Sequence, residues 1–424
     1  MDLRKRRPET REKRTTTTTT PRDASVKVRF RTSLHNTVVD VMAALDGWEE
    51  TESDVEWDLH WADVGWVREN FDAMEPKWRD HQRISHFKNH YELTRKDLLI
   101  KNLKRMKRQQ SKNDLLASDD IPDFWSATFV LPMEYGMFLE DFKRYPGALW
   151  IMKPIGKAQG RGIFLFDKLS QISEWKKDHT WRTDVVQTKT SDTYIVQKYI
   201  ENPYTIGGKK FDLRLYVLVT SFSPLIVWMY RAGFGRFSSA RYSQDKTTMD
   251  NLYMHLTNAS VQKTASDYDK TVGCKWPLAH LKQFMVSKHG VQAVDMLFYD
   301  IQMVVLRSLQ AVQPILIQNK HCFELYGYDV LIDSDLKPWL LEVNASPSLT
   351  GDTDEDYNLK WNLIKHTMQV VDMERQRSGN EQHVGGFDLI WDNGAVQDAQ
   401  PNGYLSYLGC AFETEVHPPR TKAT

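Results

Sequence analysis

The chain has 424 residues, of which 41% are hydrophobic and 26% charged, proportions that exclude a disordered or fibrous protein and fit a soluble domain with an ample core. Lys plus Arg and Asp plus Glu balance at 56 each, so net charge points to no partner, nucleic acid included, and local charge must carry that information. Three scattered cysteines (Cys274, Cys322, Cys410) without a CxxC pair argue against a disulfide framework or zinc site. No run approaches the roughly 18 apolar residues of a membrane span, and the charged N-terminus lacks the apolar core of a secretory signal.

Residues 1–25, basic and then threonine-rich (Thr15–Thr20), read as a low-complexity tail. Residues 26–93 are rich in tryptophan (Trp48, Trp57, Trp61, Trp66, Trp78) and read as a small α/β domain. A basic amphipathic helix is expected over 94–112, opened by Thr94 as N-cap. Its cations, Lys101, Lys104, Arg105, Lys107 and Arg108, suit either a solvated face or a surface for an acidic partner. Residues 148–200 alternate short strands with a Gly-rich turn and a helix near Leu169–Asp178. Residues 211–237 are strongly strand-like, two helices follow at Leu278–His289 and Val291–Val312, then a hairpin at Gly327–Asn344 and a helix near Tyr357–Asp372. From 375 to 424 the chain turns polar and is expected to be peripheral or disordered.

The chemistry concentrates in four segments. In YDVLIDSDLKPWLLEVNAS (Tyr328–Ser346), a four-residue loop at Ser334–Lys337 sets Asp329 opposite Glu342, with Asn344 on the same face. Two facing carboxylates repel and call for a cation, and hard oxygen donors suit Mg²⁺. In GGKKFDLRLYVLV (Gly207–Val219), Lys210, Asp212 and Arg214 are spaced by two and project from one strand face, where cations around an acid could cradle phosphate oxygens. WIMKPIGKAQGRGIFLF (Trp150–Phe166) joins a strand lysine, Lys153, to Gly156, Gly160 and Gly162, a turn able to close over phosphates. TYIVQKYIENP (Thr193–Pro203) is a strand whose exposed backbone end could read an adenine edge. Each also has an ordinary reading as a turn, an edge strand or a connection. Neither GxxxxGK[ST] nor the kinase HRD and DFG motifs occur.

Taken together and in this order, NHYELTRKDLL, WIMKP, QGRGIF, GGKKFDLRLYVLV, HLTN, KHCFELYGYD and KPWLLEVNASPSL resemble the tubulin–tyrosine-ligase-like family of ATP-grasp amino-acid ligases, in its glutamate-adding branch, from about Gly47 to Val371; VGGFDLIW near Gly385–Trp391 adds to the likeness. The resemblance implies an α/β ATP-grasp fold, with nucleotide held between a central subdomain (94–200) and a C-terminal one (201–374), behind the 26–93 domain. It places ATP contacts on Lys153, Gln159, Gly160, Gln197, Lys198, Tyr199, Ile200, Lys210, Asp212, Thr257 and Asn258, and Mg²⁺ on Asp329, Glu342 and Asn344. Free L-glutamate would meet Arg236, Lys275 and Lys360; Arg214 would face the substrate end of the nucleotide, with Lys210 and Glu342 beside the reaction. Gln159 matches a position implicated in choosing between starting and extending a chain.

The implied reaction is phosphorylation of an acceptor carboxylate by ATP, then attack by the amine of glutamate. The implied acceptor is the acidic C-terminal tail of tubulin, in the cytoplasm, at the cytoskeleton of cilia, basal bodies or flagella. No nucleic-acid or membrane partner is expected. No long basic extension follows the core, which leaves room for a partner subunit. Two other functions compete: a ligase for glycine or tyrosine, and a microtubule-binding protein without catalysis.

Overall fold

The computed structural model describes residues 27–113, 123–172, 193–266, 274–396 and 406–417. The basic tail 1–25 lies outside the described residues. So does the end of the helix expected from Leu169, whose described part is the short turn Leu169–Ile172.

Two long antiparallel strands, Lys209–Phe222 and Leu225–Arg241, form the spine of an eight-stranded sheet. Along it the order runs Pro338–Asn344, Glu324–Ile332, Lys209–Phe222, Leu225–Arg241, Phe387–Asp392 and His383–Val384, with Lys275–Pro277 paired to Leu225–Arg241. The spine is apolar on both faces because helices cover both. Leu213, Leu215, Val217 and Val219 meet the helices Leu278–His289 and Val291–Val312, whereas Tyr216 and Leu218 meet Asp354–Val371. At the start of the strand that second face turns polar, carrying Lys210, Asp212 and Arg214. The chemistry therefore sits where one covered face runs out of apolar cover.

A second sheet, antiparallel throughout, runs Thr128–Leu131, Tyr194–Lys198, Trp150–Pro154, Phe164–Phe166. It is closed by Phe138 of the helix Tyr135–Arg144 over Trp150 and Phe166. The N-terminal unit is a small parallel sheet, Trp48–Glu50, Val28–Thr32, Leu59–Trp61, Arg83–Ile84. Fully buried Glu324 ties it to the spine by accepting from Phe87 N at 3.1 Å and meeting His86 Nδ1 at 2.9 Å. Among the described residues no helix is long and apolar enough to cross a membrane.

The basic helix begins at Lys96 and ends at Asn113. Thr94 does not cap it: its hydroxyl donates back to His90 O and closes the preceding turn Tyr91–Thr94. Most of the cationic face is used internally. Lys104 pairs with Glu134 (2.9 Å), Lys107 with Asp123 (2.8 Å), and Arg105 donates to Ala311 O (2.8 Å), leaving Lys101 and Arg108 exposed. The helix thus ties the segments carrying Asp123 and Glu134 to the end of the helix Val291–Val312.

The polar region after residue 375 also differs from expectation. Phe387–Asp392 adds a strand to the central sheet, Phe387 is fully buried, and Arg231 clamps Asp388 at 2.7 and 2.8 Å. The sparse apolar residues of this stretch concealed its role, because one short edge strand needs few of them; 397–405 and 418–424 lie outside the described residues. Gly385 marks how closely it fits: its φ is +55°, and a Cβ there would lie 2.3 Å from the His366 ring. Gly385→Ala should therefore cost roughly 2 kcal/mol or more of stability, read as a lowered thermal or urea midpoint, whereas a loose tail would accept alanine without change.

Candidate active site

One cleft lies between the two larger sheets. Its walls include all eleven positions expected to contact nucleotide, namely Lys153, Gln159, Gly160, Gln197, Lys198, Tyr199, Ile200, Lys210, Asp212, Thr257 and Asn258, together with Asp329, Glu342 and Asn344. Polar residues without a prior assignment join them, Lys96, Lys157 and His255, beside an apolar lining that includes Ile151, Leu256, Leu331 and Leu341. Arg214, Arg236, Lys275 and Lys360 stand outside this lining, and the first two reach it through Asp329.

The hairpin brings the acids together by an unexpected route. Its loop is five residues, Asp333–Lys337, closed by Asp333 N donating to Lys337 O, so Ile332 pairs with Pro338 rather than with Trp339. A bulge between Asp329 and Val330 then shifts the register back, and Asp329 faces Glu342 after all. Both Leu341 and Glu342 consequently line the cleft, which strict alternation would forbid.

The cations that these acids require come from the chain itself. Arg214 grips Asp329 through Nε (2.6 Å) and Nη2 (3.2 Å), and Arg236 bridges Asp329 (2.7 Å) and Asp212. Lys96 reaches Glu342 Oε2 at 2.8 Å. Burial pushes the Asp329 carboxyl up against the pull of the two guanidiniums. Burial acts on Glu342 in the same direction, but Lys96 and then Lys153 prevail and hold it well below the usual carboxylate range.

Lys153 and Lys210 are in a different condition. Lys153 donates to Gln197 Oε1 (2.8 Å); Lys210 donates to Tyr199 Oη (2.8 Å) and His255 O (2.9 Å). Neither ammonium is bonded to a carboxylate among the described residues. Burial lowers Lys153 to about 8 and Lys210 to about 7. Lys96, Arg214 and Arg236 balance Asp212, Asp329 and Glu342, so whatever charge Lys153 and Lys210 carry is in excess, beside Lys157 and Lys198 on the same walls. Such a cleft is built for an anion.

The Gly-rich turn closes over it. Gly160 has φ +77°, and a Cβ there would lie 2.9 Å from Val261 Cγ2, so the turn can approach the Ala259–Gln262 helix only as glycine. Gln159 beside it holds the left-handed φ of +62°, a strained conformation for a residue with a side chain, and its carbonyl accepts from Ser260 Oγ at 3.2 Å.

The acid patch also fits a metal of the right kind. Among the described residues no three His, Cys, Asp or Glu side chains gather to hold an ion unaided, so an ion here needs substrate oxygens to complete its shell. Lys96 contacts Oε2 of Glu342, leaving Oε1 available, and Asn344 lines the same cleft with its Nδ2 donating to Gly327 O. Hard oxygen donors in that number suit Mg²⁺ shared with phosphates.

The residues expected to hold free glutamate fall into two groups. Arg236 is fully engaged between Asp212 and Asp329. Lys275 and Lys360 meet on Asp356 at 3.0 and 2.8 Å, and Lys275 also pairs with Asp352 at 2.7 Å. Lys96 is the residue that spacing alone missed. It opens a helix far from the other motifs in sequence, and only its place in NHYELTRKDLL could have marked it.

Comparison with known proteins agrees with this geometry. Residues 72–378 match the model of the tubulin-tyrosine ligase family. The chain is 47% identical to "Probable tubulin polyglutamylase TTLL9" of Bos taurus, covering 93% of this chain and 90% of that protein. It is 46% identical to "Probable tubulin polyglutamylase ttll-9" of Caenorhabditis elegans, covering 87% and 85%. To "Probable alpha-tubulin polyglutamylase Ttll1" of Tetrahymena thermophila it is 41% identical, over 87% and 94%. With matches that span the N-terminal unit, both larger sheets and the cleft between them, the chain belongs to the tubulin-tyrosine ligase family.

Proposed function

We propose that this chain is an ATP- and Mg²⁺-dependent acid–amino-acid ligase that joins free glutamate by an amide bond to glutamate side chains in the acidic tails of tubulin. The observation that carries the reading is the pair of lysines, half-buried Lys153 and buried Lys210, bonded only to neutral acceptors in the same cleft as Asp329, Glu342 and Asn344. The relatives' names support tubulin and glutamate, and the acids and lysines of the cleft support phosphate and metal chemistry. By the same kinship the protein works at the microtubule cytoskeleton, with cilia and flagella as its expected location.

A carboxylate and an amine do not condense in water, since the amine is protonated and hydroxide leaves poorly. ATP supplies the phosphoryl group that activates the acceptor as an acylphosphate, and Mg²⁺ offsets charge on the phosphate oxygens. The chain contributes position and fixed charge. Lys153 and Lys210 would hold phosphate oxygens, Glu342 and Asn344 would hold the metal, with Asp329 behind them as the anchor of Arg214 and Arg236 rather than the direct ligand the resemblance implies, and Lys96 would exchange its partner Glu342 for a phosphate oxygen. Arg214, fixed by Asp329, faces the reacting end. Tyr199 and Ile200, at the end of Tyr194–Lys198, present the backbone to the base.

The deciding assay is purified protein with tubulin, ATP and labelled glutamate, read by mass spectrometry of the tails, with and without cell extract to supply a partner subunit. Added mass in steps of one glutamate is expected; ATP turnover without any tail modification would contradict the reading.

Two further outcomes follow from the site. Glu342→Gln keeps shape but removes the charge that Lys96 and the metal share, so ligation should fall about 100-fold or more while the thermal midpoint stays near that of the parent. Nucleotide binding should also take up protons. Near pH 8 Lys210 is mostly neutral and Lys153 about half so; phosphate favours their charged forms, so affinity should decline as pH rises from about 7 to about 9. Calorimetry at about pH 8 in buffers of different ionisation heat should register an uptake of about one to one and a half protons, and Lys210→Met should remove the larger part of it.

A further inference from the structure

Beside the cleft lies a chain of alternating charges that the proposed chemistry does not yet use. Lys263 pairs with Asp352 Oδ1 (2.6 Å), Asp352 Oδ2 takes Lys275 (2.7 Å), and Asp356 Oδ2 takes both Lys275 (3.0 Å) and Lys360 (2.8 Å). Asp356 stands in the first turn of the helix Asp354–Val371 behind its N-cap Thr353, and Oδ2 also accepts from Asp352 N at 2.9 Å. An acid there is an ordinary helix-capping choice, but such acids usually face water. This one is 6% exposed and spends its charge on two ammoniums from different elements. Its other oxygen, Oδ1, is buried without a hydrogen-bond partner.

We propose that Asp356 is the positioning residue of the amino-acid clamp: one carboxylate oxygen gathers Lys275 and Lys360 into a paired-ammonium fork and, with Asp352 and Lys263, leaves that fork one positive charge in excess. The inference rests on the reading of Lys275 and Lys360 as the amino-acid site. Three ammoniums against two carboxylates match a substrate of net charge −1, a zwitterion with one extra carboxylate, and leave a neutral amino acid with an uncompensated cation beneath it. Without Asp356 the two lysines repel and separate, and the fork is lost. Lys263, 41% exposed at the outer end, supplies the charge that tips the balance.

The test is steady-state ligation with tubulin, ATP and glutamate on the full chain. Asp356→Asn should raise KM for glutamate by about tenfold or more and change KM for ATP by less than about twofold, with partial recovery in Asp356→Glu. Lys263→Gln, at a site that does not carry the fold, should raise KM for glutamate about threefold and let glycine compete better. A purely structural role for Asp356 predicts a lowered melting temperature with both KM values affected alike, which would overturn the inference. If Asp356→Asn does not fold, an unchanged glutamate KM and unchanged glycine competition in Lys263→Gln would overturn it. Parent protein that incorporates no glutamate would instead condemn the ligase reading itself.

Discussion

The structure depends on a lattice of buried and half-buried opposite charges laid across neighbouring strands of one sheet. Glu342, Asp329, Arg214, Arg236 and Asp212 occupy four adjoining strands, and Lys96 closes the row from a helix. Burying charges is expensive even when they are paired, and apolar residues of similar volume would often stabilise a sheet as well or better. A fold that bears this cost at one end of its most hydrophobic strands gains a rigid, low-dielectric set of charges. In such surroundings an added anion or cation is felt strongly.

The lattice is also unevenly satisfied, and that unevenness gives it direction. Asp329 is bonded on both oxygens and acts as an anchor for Arg214 and Arg236. Glu342 has one lysine, and Lys153 and Lys210 have neutral partners only among the described residues. Charge is therefore balanced deep in the sheet and unbalanced toward the cleft. The same gradient recurs in the neighbouring chain of charges, where the buried pair Asp356–Lys360 grades outward to the exposed Lys263.

Much of this was legible in the sequence, for reasons that differ between elements. The helices Leu278–His289 and Val291–Val312 follow from periodicity and the glycine between them. The facing of Asp329 and Glu342 was reached by simple alternation, yet the chain arrives there through a longer loop and a compensating bulge. Alternation could not reveal a bulge, because nothing local to Leu341 announces one. The basic helix misled in the opposite way: its cations read as a surface, but their partners Glu134, Asp123 and the Ala311 carbonyl come from distant segments. Lys96 and the strand Phe387–Asp392 were missed for the same reason, since each acquires its meaning from a contact across the fold.

The central proposal is that nucleotide and metal replace the Lys96–Glu342 ion pair at the mouth of this charge lattice. A structure of the protein with a non-hydrolysable ATP analogue and Mg²⁺ tests it most directly. The account predicts an ion between the phosphates and Glu342 with Asn344, Lys96 withdrawn from Glu342 onto a phosphate oxygen, and Arg214 and Arg236 still on Asp329. Nucleotide bound elsewhere, or bound here with the Lys96–Glu342 pair intact and no ion beside it, would contradict the account.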